Sequence, residues 1–314
     1  MAHKLLSAAS GKSGLSILIY HRVFDQPDPF LPDVPDITQF SWQMELLHHY
    51  YNVVSLEKAI NLLQSGQLPA RTACVTFDDG YADNFLHALP ILQQWNIPAT
   101  FFVASGFLNG GMMWNDRVLE TIRHYRDNQL DLSAVGLGSY SLETNEQRKK
   151  TAADLLPAIK YLPPSQRNEV VQHLKQLVNH QLPVNLMMNT TQLKQLHSSG
   201  MEIGGHTLTH PILSSLTNEQ AEQEIRSGRD QLSKLLDGAR IRYFAYPNGK
   251  PGQDYTNEHA EIVKNLGFEA AVSTSWSTAT SASDLFQLPR FTPWDADPLK
   301  FAIRLMKNTV LPYE

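Results

Sequence analysis

The sequence contains few of the features that mark disulfide-bonded, secreted or nucleic-acid-binding proteins. Cys74 is the only cysteine among 314 residues, so an intrachain disulfide is excluded. Its apolar neighbours, Ala73 and Val75, favour a small buried side chain over a reactive thiol. Charged residues make up 18% of the chain, below the roughly 25% of typical globular proteins. The net charge of -5, without a basic cluster, argues against nucleic acid as the main partner.

Long apolar runs are also missing. The first apolar segment, 15–20, is too short to span a bilayer, which takes about 20 residues in a helix. Residues 1–14 lack the apolar core of roughly 7–15 residues that a secretory signal contains. The sequence therefore predicts no membrane span and a cytoplasmic location. The single unpaired cysteine agrees with a reducing compartment.

Hydrophobic residues make up 42% of the chain, enough for a sizeable core, and they fall into an alternating pattern. Short apolar runs typical of buried parallel strands alternate with helical patterns. The predicted strands are 15–20, 72–77, 99–103, 201–203, 242–246 and 270–273. The predicted helices are 41–50, 55–63, 82–95 (interrupted near Pro90), 190–199, 217–236, 255–266 and 301–306. This alternation predicts an α/β fold with a parallel sheet.

One stretch, at about 110–185, breaks this alternation. It is mostly polar, with helical patterns at 115–125 and 169–178. We interpret it as a helical insertion in one catalytic domain that spans residues 1–314.

Polar clusters follow three of the predicted strands, and these clusters are His21, the pair Asp78 and Asp79, and the pair His206 and His210. Functional groups of parallel α/β folds gather at the carboxyl ends of strands. Adjacent carboxylates repel each other, so both stay ionised most easily beside a cation. Asp78-Asp79-Gly80 can therefore provide one metal ligand and one base, or simply form a turn that caps a helix.

The two histidines have the spacing i and i+4, at which both can bind one metal ion. No Glu follows His206, which excludes a zinc-protease motif, and the flanking Gly205 and Pro211 predict a loop or a single turn. Alone, such a pair is more often two surface histidines. Together with Asp79, it forms a ligand set with open positions, as catalytic metal sites have.

These motifs resemble the first two motifs of the polysaccharide deacetylase family, the NodB-homology group also called carbohydrate esterase family 4. The matching segments are Thr76-Phe77-Asp78-Asp79-Gly80 and His206-Thr207-Leu208-Thr209-His210. The resemblance implies a distorted (β/α)7-type barrel in which Asp78 is the catalytic base. It also implies that Asp79, His206 and His210 bind a divalent metal ion, zinc first, with cobalt and nickel as alternatives.

The third motif of the family resembles the segment 244–249, with one departure. Many members have an Arg at the position of Ala245, where it orients the base, and Arg290 is our candidate replacement, although it could be an ordinary surface residue. Tyr246 and Asn248 are expected near the substrate or the oxyanion, with a backbone N–H near Asn248 as donor. Trp114 could edge the substrate cleft, although a helix start capped by the following Asn or Asp is the favoured reading.

The final family motif brings a His near the C-terminus, but the last histidine here is His259. Instead, the segment Ile19-Tyr20-His21-Arg22 resembles the circularly permuted branch, which includes poly-N-acetylglucosamine deacetylases of biofilms. In that branch the first strand provides the general acid, here His21. The less favoured alternative is that His21 only ends its strand. Possible carboxylate partners of His21 are Asp284, Asp295 and Asp297.

The resemblance implies a hydrolase that removes acetyl groups from an N-acetylated glycan, namely an exopolysaccharide or its precursor. Metal-activated water would attack, Asp78 would accept its proton, and His21 would protonate the leaving amine. Two alternatives stay open. One is a sugar-binding module with impaired catalysis, which Ala245 suggests. The other is an amidase or deformylase acting on a lipid-linked aminosugar or a non-sugar amide. Neither the sugar nor the oligomeric state follows from the sequence.

Overall fold

The computed structural model describes residues 14–178 and 182–310, which form two compact units. We call residues 14–108 and 188–310 the barrel unit, and Asn109–Met187 the insertion unit. The insertion unit agrees within a few residues with the insertion expected at about 110–185. That both units belong to one catalytic domain stays a prediction.

Strands and helices alternate through the barrel unit. The strands of both units are β1 Leu15–Tyr20, β2 Asn52–Val53, β3 Thr72–Phe77, β4 Ala99–Val103, β5 Gln129–Asp131, β6 Ser139–Ser141, β7 Glu202–Gly205, β8 Tyr243–Ala245 and β9 Ala270–Val272. The helices are α1 Ile37–Tyr50, α2 Leu56–Gln64, α3 Leu89–Gln94, α4 Trp114–His124, α5 Asn145–Lys160, α6 Pro164–Leu177, α7 Thr190–Ser198, α8 Asn218–Leu235, α9 Asn257–Asn265 and α10 Pro298–Val310.

The barrel unit is built on a 7-stranded parallel sheet with the order β1-β3-β4-β7-β8-β9, in which β2 pairs with the start of β3. Every residue of β1 and β3 is buried, because both strands are covered on both faces. The carboxyl ends of the strands therefore lie together at one end of the sheet.

An irregular segment connects the two edges of this sheet. Leu288 forms a parallel bridge with Val272 of β9, and Phe291 forms one with Leu18 of β1. The N–H of Phe291 donates to the carbonyl of Ile17 at 2.7 Å, and the N–H of Ile19 donates to Phe291 at 2.9 Å. We call residues 288–291 the closing segment. The curled sheet and its helices confirm the predicted distorted (β/α)7-type fold.

One helix prediction in the barrel unit was wrong in its detail. The helix expected at 82–95 is not interrupted at Pro90, which lies in the first turn of α3. Instead, a π-helical turn, Asn84–Ala88, precedes α3 directly. Proline has no N–H to donate, and the chain accommodates it by widening the preceding turn instead of breaking the helix.

The insertion unit contains more regular structure than the sequence predicted. β5 and β6 form an antiparallel hairpin, and α5 lies between the two predicted helices, α4 and α6. Thr144 caps α5 through a reciprocal capping box with Gln147. Leu155 and Ile159 bury the apolar side of α5.

None of the helices in the described ranges is long and apolar enough to cross a membrane. Residues 1–13, on which most of the prediction about a secretory signal rests, lie outside the described residues.

Candidate active site

The two aspartates lie directly after β3, in a tight turn that both neighbouring strands fix. The N–H of Asp78 donates to the carbonyl of Tyr20 at the end of β1, at 2.9 Å. The N–H of Ala104, just after β4, donates to the carbonyl of Asp79 at 3.2 Å. Asp79 has φ 77 and Gly80 φ 92, in the left-handed region. A non-glycine residue held there is strained, and such strain concentrates at functional sites.

Asp79 and the two histidines form a compact three-residue cluster. Asp79 Oδ1 lies 3.4 Å from Nε2 of His206 and 3.4 Å from Nε2 of His210. One ligand atom from each residue lies within 4.8 Å of the other two. His206 donates from Nδ1 to the carbonyl of Ala245 at 2.7 Å, so in the neutral imidazole the lone pair is on Nε2, the nitrogen next to Asp79. Second contacts of this kind fix the tautomer of metal-binding histidines.

These three residues fit a divalent cation. Asp79 Oδ1 is buried and has no hydrogen-bond partner among the described residues, which is costly unless something else satisfies it. Oxygen and nitrogen ligands each about 2.0–2.1 Å from a tetrahedral zinc ion lie about 3.4 Å apart. The two distances from Asp79 to the imidazoles, both 3.4 Å, match that geometry and are long for direct hydrogen bonds.

The charges of the cluster also suit metal binding. Burial would raise the pKa of Asp79, but His206 and His210 outweigh it and hold the pKa well below its usual range. Burial lowers the pKa of His210 to about 4, and Asp79 opposes this shift only in part. Burial acts in the same direction on the pKa of His206, but Asp78 and Asp79 outweigh it and raise that pKa. At neutral pH, Asp79 is therefore ionised and His210 is neutral, the forms that bind metal.

The loop between the two histidines is held by a carboxylate that the sequence analysis missed. Thr207 and His210 have φ 64 and 54, so the loop needs external support. Glu224, on α8, accepts hydrogen bonds from the N–H and the hydroxyl of Thr209, both at 2.8 Å. The N–H of His210 donates to the Thr207 hydroxyl at 3.0 Å. Glu224 belongs to another element, and no local pattern connects it to the histidine motif.

Replacing Gly228 by alanine is expected to weaken metal binding without altering a ligand. Gly228 lies in α8, and an alanine Cβ there would lie 2.4 Å from both the carbonyl carbon and the oxygen of Thr207. Helix propensity alone would favour alanine by about 1 kcal/mol. The clash with backbone outweighs this gain and displaces the loop that carries His206 and His210. We expect metal affinity to fall by about tenfold or more, as for other supporting residues, measured by competition with a chromogenic chelator.

Ser227→Ala is the matched control for Gly228→Ala. Ser227 lies one residue earlier on the same helix, and its hydroxyl accepts a hydrogen bond from Gln223 at 2.7 Å. This variant should keep the wild-type affinity for metal. If Gly228→Ala has the metal affinity of the wild type and a higher melting temperature, the close approach to Thr207 is not important.

Arg290 forms a bidentate ion pair with Asp78. Its Nη1 and Nη2 donate to Asp78 Oδ1 and Oδ2, both at 2.7 Å, and its Nε donates to the carbonyl of Ser273 at 2.9 Å. Arg290 is fully buried, so it is not the surface residue of the alternative interpretation. Burial would raise the pKa of Asp78, but the charge of Arg290, followed by that of His206, lowers it. The closing segment thus holds Asp78 ionised and fixed in orientation.

Tyr246 lies inside the barrel unit, and its expected role stays a prediction. Its ring is buried and stacks on Tyr255, with centroids 3.7 Å apart. Its hydroxyl donates to the carbonyl of Phe286 at 2.8 Å, and its N–H donates to the carbonyl of Val272 at 3.3 Å. Because both donors of Tyr246 have partners inside the protein, these contacts do not support the prediction that it binds substrate or oxyanion.

Asn248 and Trp114, also predicted near the substrate, lie in different units. Asn248 is half-buried, with φ 59, and its carbonyl accepts from the Thr274 hydroxyl at 2.9 Å. Its N–H has no acceptor among the described residues. Trp114 begins α4 in the insertion unit, where the Arg167 guanidinium lies 5.7 Å from its ring centroid. Met113, not Asn115 or the following Asp, occupies the capping position. The substrate roles of Asn248 and Trp114 stay predictions.

His21 lies at the exposed end of β1, near enough to Asp78 and Asp79 for its charge to lower the pKa of both. Each of its three predicted carboxylate partners has another contact, and a pairing with His21 stays a prediction. Asp295 pairs with Arg304, Asp284 accepts from the N–H of Phe286 at 2.9 Å, and Asp297 accepts from the N–H of Lys300 at 2.9 Å. In the structure, the end of β1 is instead held by Asn84, whose side chain donates to the His21 carbonyl at 2.8 Å.

Comparisons with known proteins found similar sequences over most of the chain. The sequence model of the family described as "Polysaccharide deacetylase" matches residues 65–156 and 168–271, more than half of the chain. The chain is 21% identical over 281 residues to YxkH of Bacillus subtilis (strain 168), named as a candidate polysaccharide deacetylase, covering 88% of this chain and 70% of that protein. It is 24% identical over 171 residues to the poly-beta-1,6-N-acetyl-D-glucosamine N-deacetylase of Staphylococcus aureus (strain MRSA252), covering 53% of this chain and 59% of that protein.

A solved structure supports the fold. The Streptococcus pyogenes deacetylase PplD, solved in complex with acetate, superposes with a TM-score of 0.62 at 19% identity. The match covers 95% of this chain and 99% of that one. At this identity, the likeness concerns the fold alone.

Proposed function

This chain belongs to the polysaccharide deacetylase family, and we propose that it removes acetyl groups from N-acetylated sugars of an exopolysaccharide or its precursor with the help of a divalent metal ion. It is a hydrolase that acts on carbon–nitrogen bonds other than peptide bonds. The observation that carries the proposal is the cluster of Asp79, His206 and His210 beside an independently held carboxylate, Asp78.

The metal site would consist of Asp79, His206 and His210, with zinc as first choice and cobalt or nickel as alternatives. When bound, such an ion supplies Lewis-acid chemistry and can lower the pKa of water to about 7. Asp79 neutralises part of the cation's charge. The two imidazoles would bind as neutral ligands, and a set of three ligands would leave positions for water and substrate.

Asp78 would act as the base. Its Oδ2 lies 4.0 Å from His206 Nε2, so Asp78 faces the three-residue cluster without belonging to it. The Arg290 fork prevents rotation of the carboxylate and keeps it ionised, at some loss of basicity because it lowers the pKa. The proposed role of Asp78 is to accept the proton of the attacking water. A well-placed general base typically contributes about 10²–10⁴-fold to the rate.

His21 would act as the acid, donating a proton to the leaving amine at the solvent-exposed end of β1. The turn around Asn84 holds the backbone of His21, while its side chain stays accessible. The free N–H of Asn248 is the candidate donor for the developing oxyanion. Such a donor is typically worth about 2.7–4 kcal/mol of transition-state stabilisation.

A sugar-binding module with impaired catalysis is the less favoured function. That alternative rested on Ala245, which takes the place of the Arg that orients the base. Arg290 of the closing segment donates to both carboxylate oxygens of Asp78, which supports a base that keeps an orienting Arg. Ala245 still takes part in the site, because its carbonyl accepts from His206.

Acetate release from N-acetylglucosamine oligomers tests the proposal directly. We expect release by the purified protein, loss of release after treatment with a chelator, and recovery on addition of zinc, cobalt or nickel. Formylated aminosugars and simple acetamides are tested alongside the oligomers. Their relative rates distinguish a deacetylase from a deformylase or a general amidase. Full activity after complete removal of metal, shown by elemental analysis, would refute the metal role, and acetamides as the best substrates would refute the sugar specificity.

A further inference from the structure

Two tryptophans outside the proposed catalytic set form a stacked pair at the carboxyl end of the sheet. Trp276 lies shortly after β9, and Trp294 shortly after the closing segment. Their ring centroids are 4.8 Å apart, with an angle of 17° between the planes. Trp276 also stacks on Phe291 of the closing segment at 5.6 Å and 6°. The pair thus continues a stack that starts inside the barrel.

Trp294 is exposed but held in place. It is 40% exposed, and the Arg304 guanidinium lies 4.5 Å from its ring centroid. Arg304 also donates to the carboxylate of Asp295, the next residue, at 2.9 Å. An exposed indole that neighbours fix loses little further freedom when it binds a ligand.

One face of Trp294 has no ring or guanidinium of the described residues against it, and the residue is 40% exposed. The guanidinium of Arg304 lies 5.8 Å from the centroid of Trp276. If Trp276 and Arg304 covered opposite faces of Trp294, they would be about 9 Å apart, given their separate distances of 4.8 and 4.5 Å from its ring. Both therefore lie to one side, and the opposite face has no ring or cation contact among residues 14–178 and 182–310.

The stacked pair is connected to the proposed base through one residue. The N–H of Arg290 donates to the carbonyl of Ser275, the neighbour of Trp276, at 3.0 Å. The side chain of the same arginine holds Asp78. From the reach of one extended side chain and a few backbone residues, the pair lies on the order of 10–15 Å from the Asp78 carboxylate. That is the range in which neighbouring units of an oligosaccharide lie around a reacting unit.

A fixed, flat aromatic face beside a polar site suits a sugar ring. The C–H groups on a pyranose face carry small positive charge and pack on the negative face of an aromatic ring. The hydroxyl groups point outward from the ring edge and stay hydrated. Ligand sites commonly combine such aromatic surfaces with a few fixed polar groups.

We propose that Trp294, supported by Trp276, forms a carbohydrate subsite that binds the pyranose ring of a unit next to the one being deacetylated. This inference rests on the proposed function. It makes an oligomeric glycan, and not a single sugar, the preferred substrate.

The test compares Trp294→Ala and Trp294→Phe with the wild type on β-1,6-linked N-acetylglucosamine dimer and pentamer. We expect the wild type to have a lower KM for the pentamer than for the dimer. In Trp294→Ala the pentamer KM rises about tenfold, equivalent to about 1.4 kcal/mol, so that the difference between the two lengths disappears. Trp294→Phe keeps an aromatic face and should keep most of the preference for the pentamer over the dimer. Leu86→Ala is the control, because Leu86 is 54% exposed in the π-helical turn after β3 and no role in binding is assigned to it.

Other outcomes would overturn the subsite. The first is an unchanged KM for the pentamer in Trp294→Ala. The second is an equal rise in KM for the dimer and the pentamer. The third is a loss of affinity for phospholipid vesicles while the kinetics on oligomers stay unchanged. Quenching of tryptophan fluorescence by the pentamer measures binding without acetate release. It therefore tests the subsite independently of the proposed function. If no oligomer releases acetate, the proposed function fails, yet quenching that depends on Trp294 would still support the subsite, and its absence would overturn it.

Discussion

Asp78→Asn is expected to lower kcat by about 10²–10⁴-fold while leaving the bound metal in place. Asparagine has nearly the same shape as aspartate, but its amide cannot accept the proton of the attacking water. Asp78 lies 4.0 Å from Nε2 of His206 and is not part of the three-residue cluster. Acetate release under saturating substrate measures the loss, and elemental analysis of the purified variant measures the metal.

Asp79→Asn is the matched comparison, because it makes the same chemical change one residue later. Here the metal content itself should fall, since the variant loses the anionic ligand between His206 and His210. Asp230→Asn, on the exposed surface of α8, should change neither quantity. If Asp78→Asn keeps more than a tenth of the wild-type kcat, or loses its metal as Asp79→Asn does, our assignment of the base is wrong.

The part of the site that could be predicted from sequence is the part that local segments encode. Asp78 and Asp79 follow an apolar strand directly, and His206 and His210 share one turn. The contacts that support them come from distant elements. Glu224 reaches the histidine loop from α8, and Arg290 reaches Asp78 across 212 residues of sequence. The missing Arg at Ala245 suggests a replacement, and Arg290 is the candidate from sequence, but only the closure of the sheet places it beside β3.

In the fold, too, the elements encoded by local segments were predicted and those that depend on distant contacts were not. Strands such as β1 and β3 were predicted with correct bounds, because buried parallel strands are continuous apolar runs. The closing segment was not predicted, since it contains Pro289 and forms single bridges to its neighbours instead of a ladder. Helix α5 was missed although Thr144 and Gln147 have the spacing of a capping box. Its polar composition and internal Pro157 obscured that signal.

Arg290→Met is expected to destabilise the protein by about 3–5 kcal/mol, because it leaves the Asp78 carboxylate buried without its partner. Methionine fills most of the volume, so the loss of charge dominates the effect. The pKa of Asp78 should rise, since Arg290 is the main group that lowers it against the effect of burial. A base must be unprotonated to act, so the acid limb of the kcat/KM profile should move to higher pH. Urea unfolding measures the free energy, and a pH series of acetate release measures the shift.

Arg290→Lys keeps the charge but cannot make two parallel hydrogen bonds, so it should restore part of the stability and less of the activity. The double variant Asp78→Asn/Arg290→Met separates a charge pair from two independent residues. Removal of both partners leaves no unpaired buried charge, so its loss of stability should be smaller than the sum of the single losses. Additive losses would show that Arg290 stabilises the fold through Ser273 and the closing segment alone. An unchanged acid limb in Arg290→Met would show that Arg290 does not set the protonation of the proposed base.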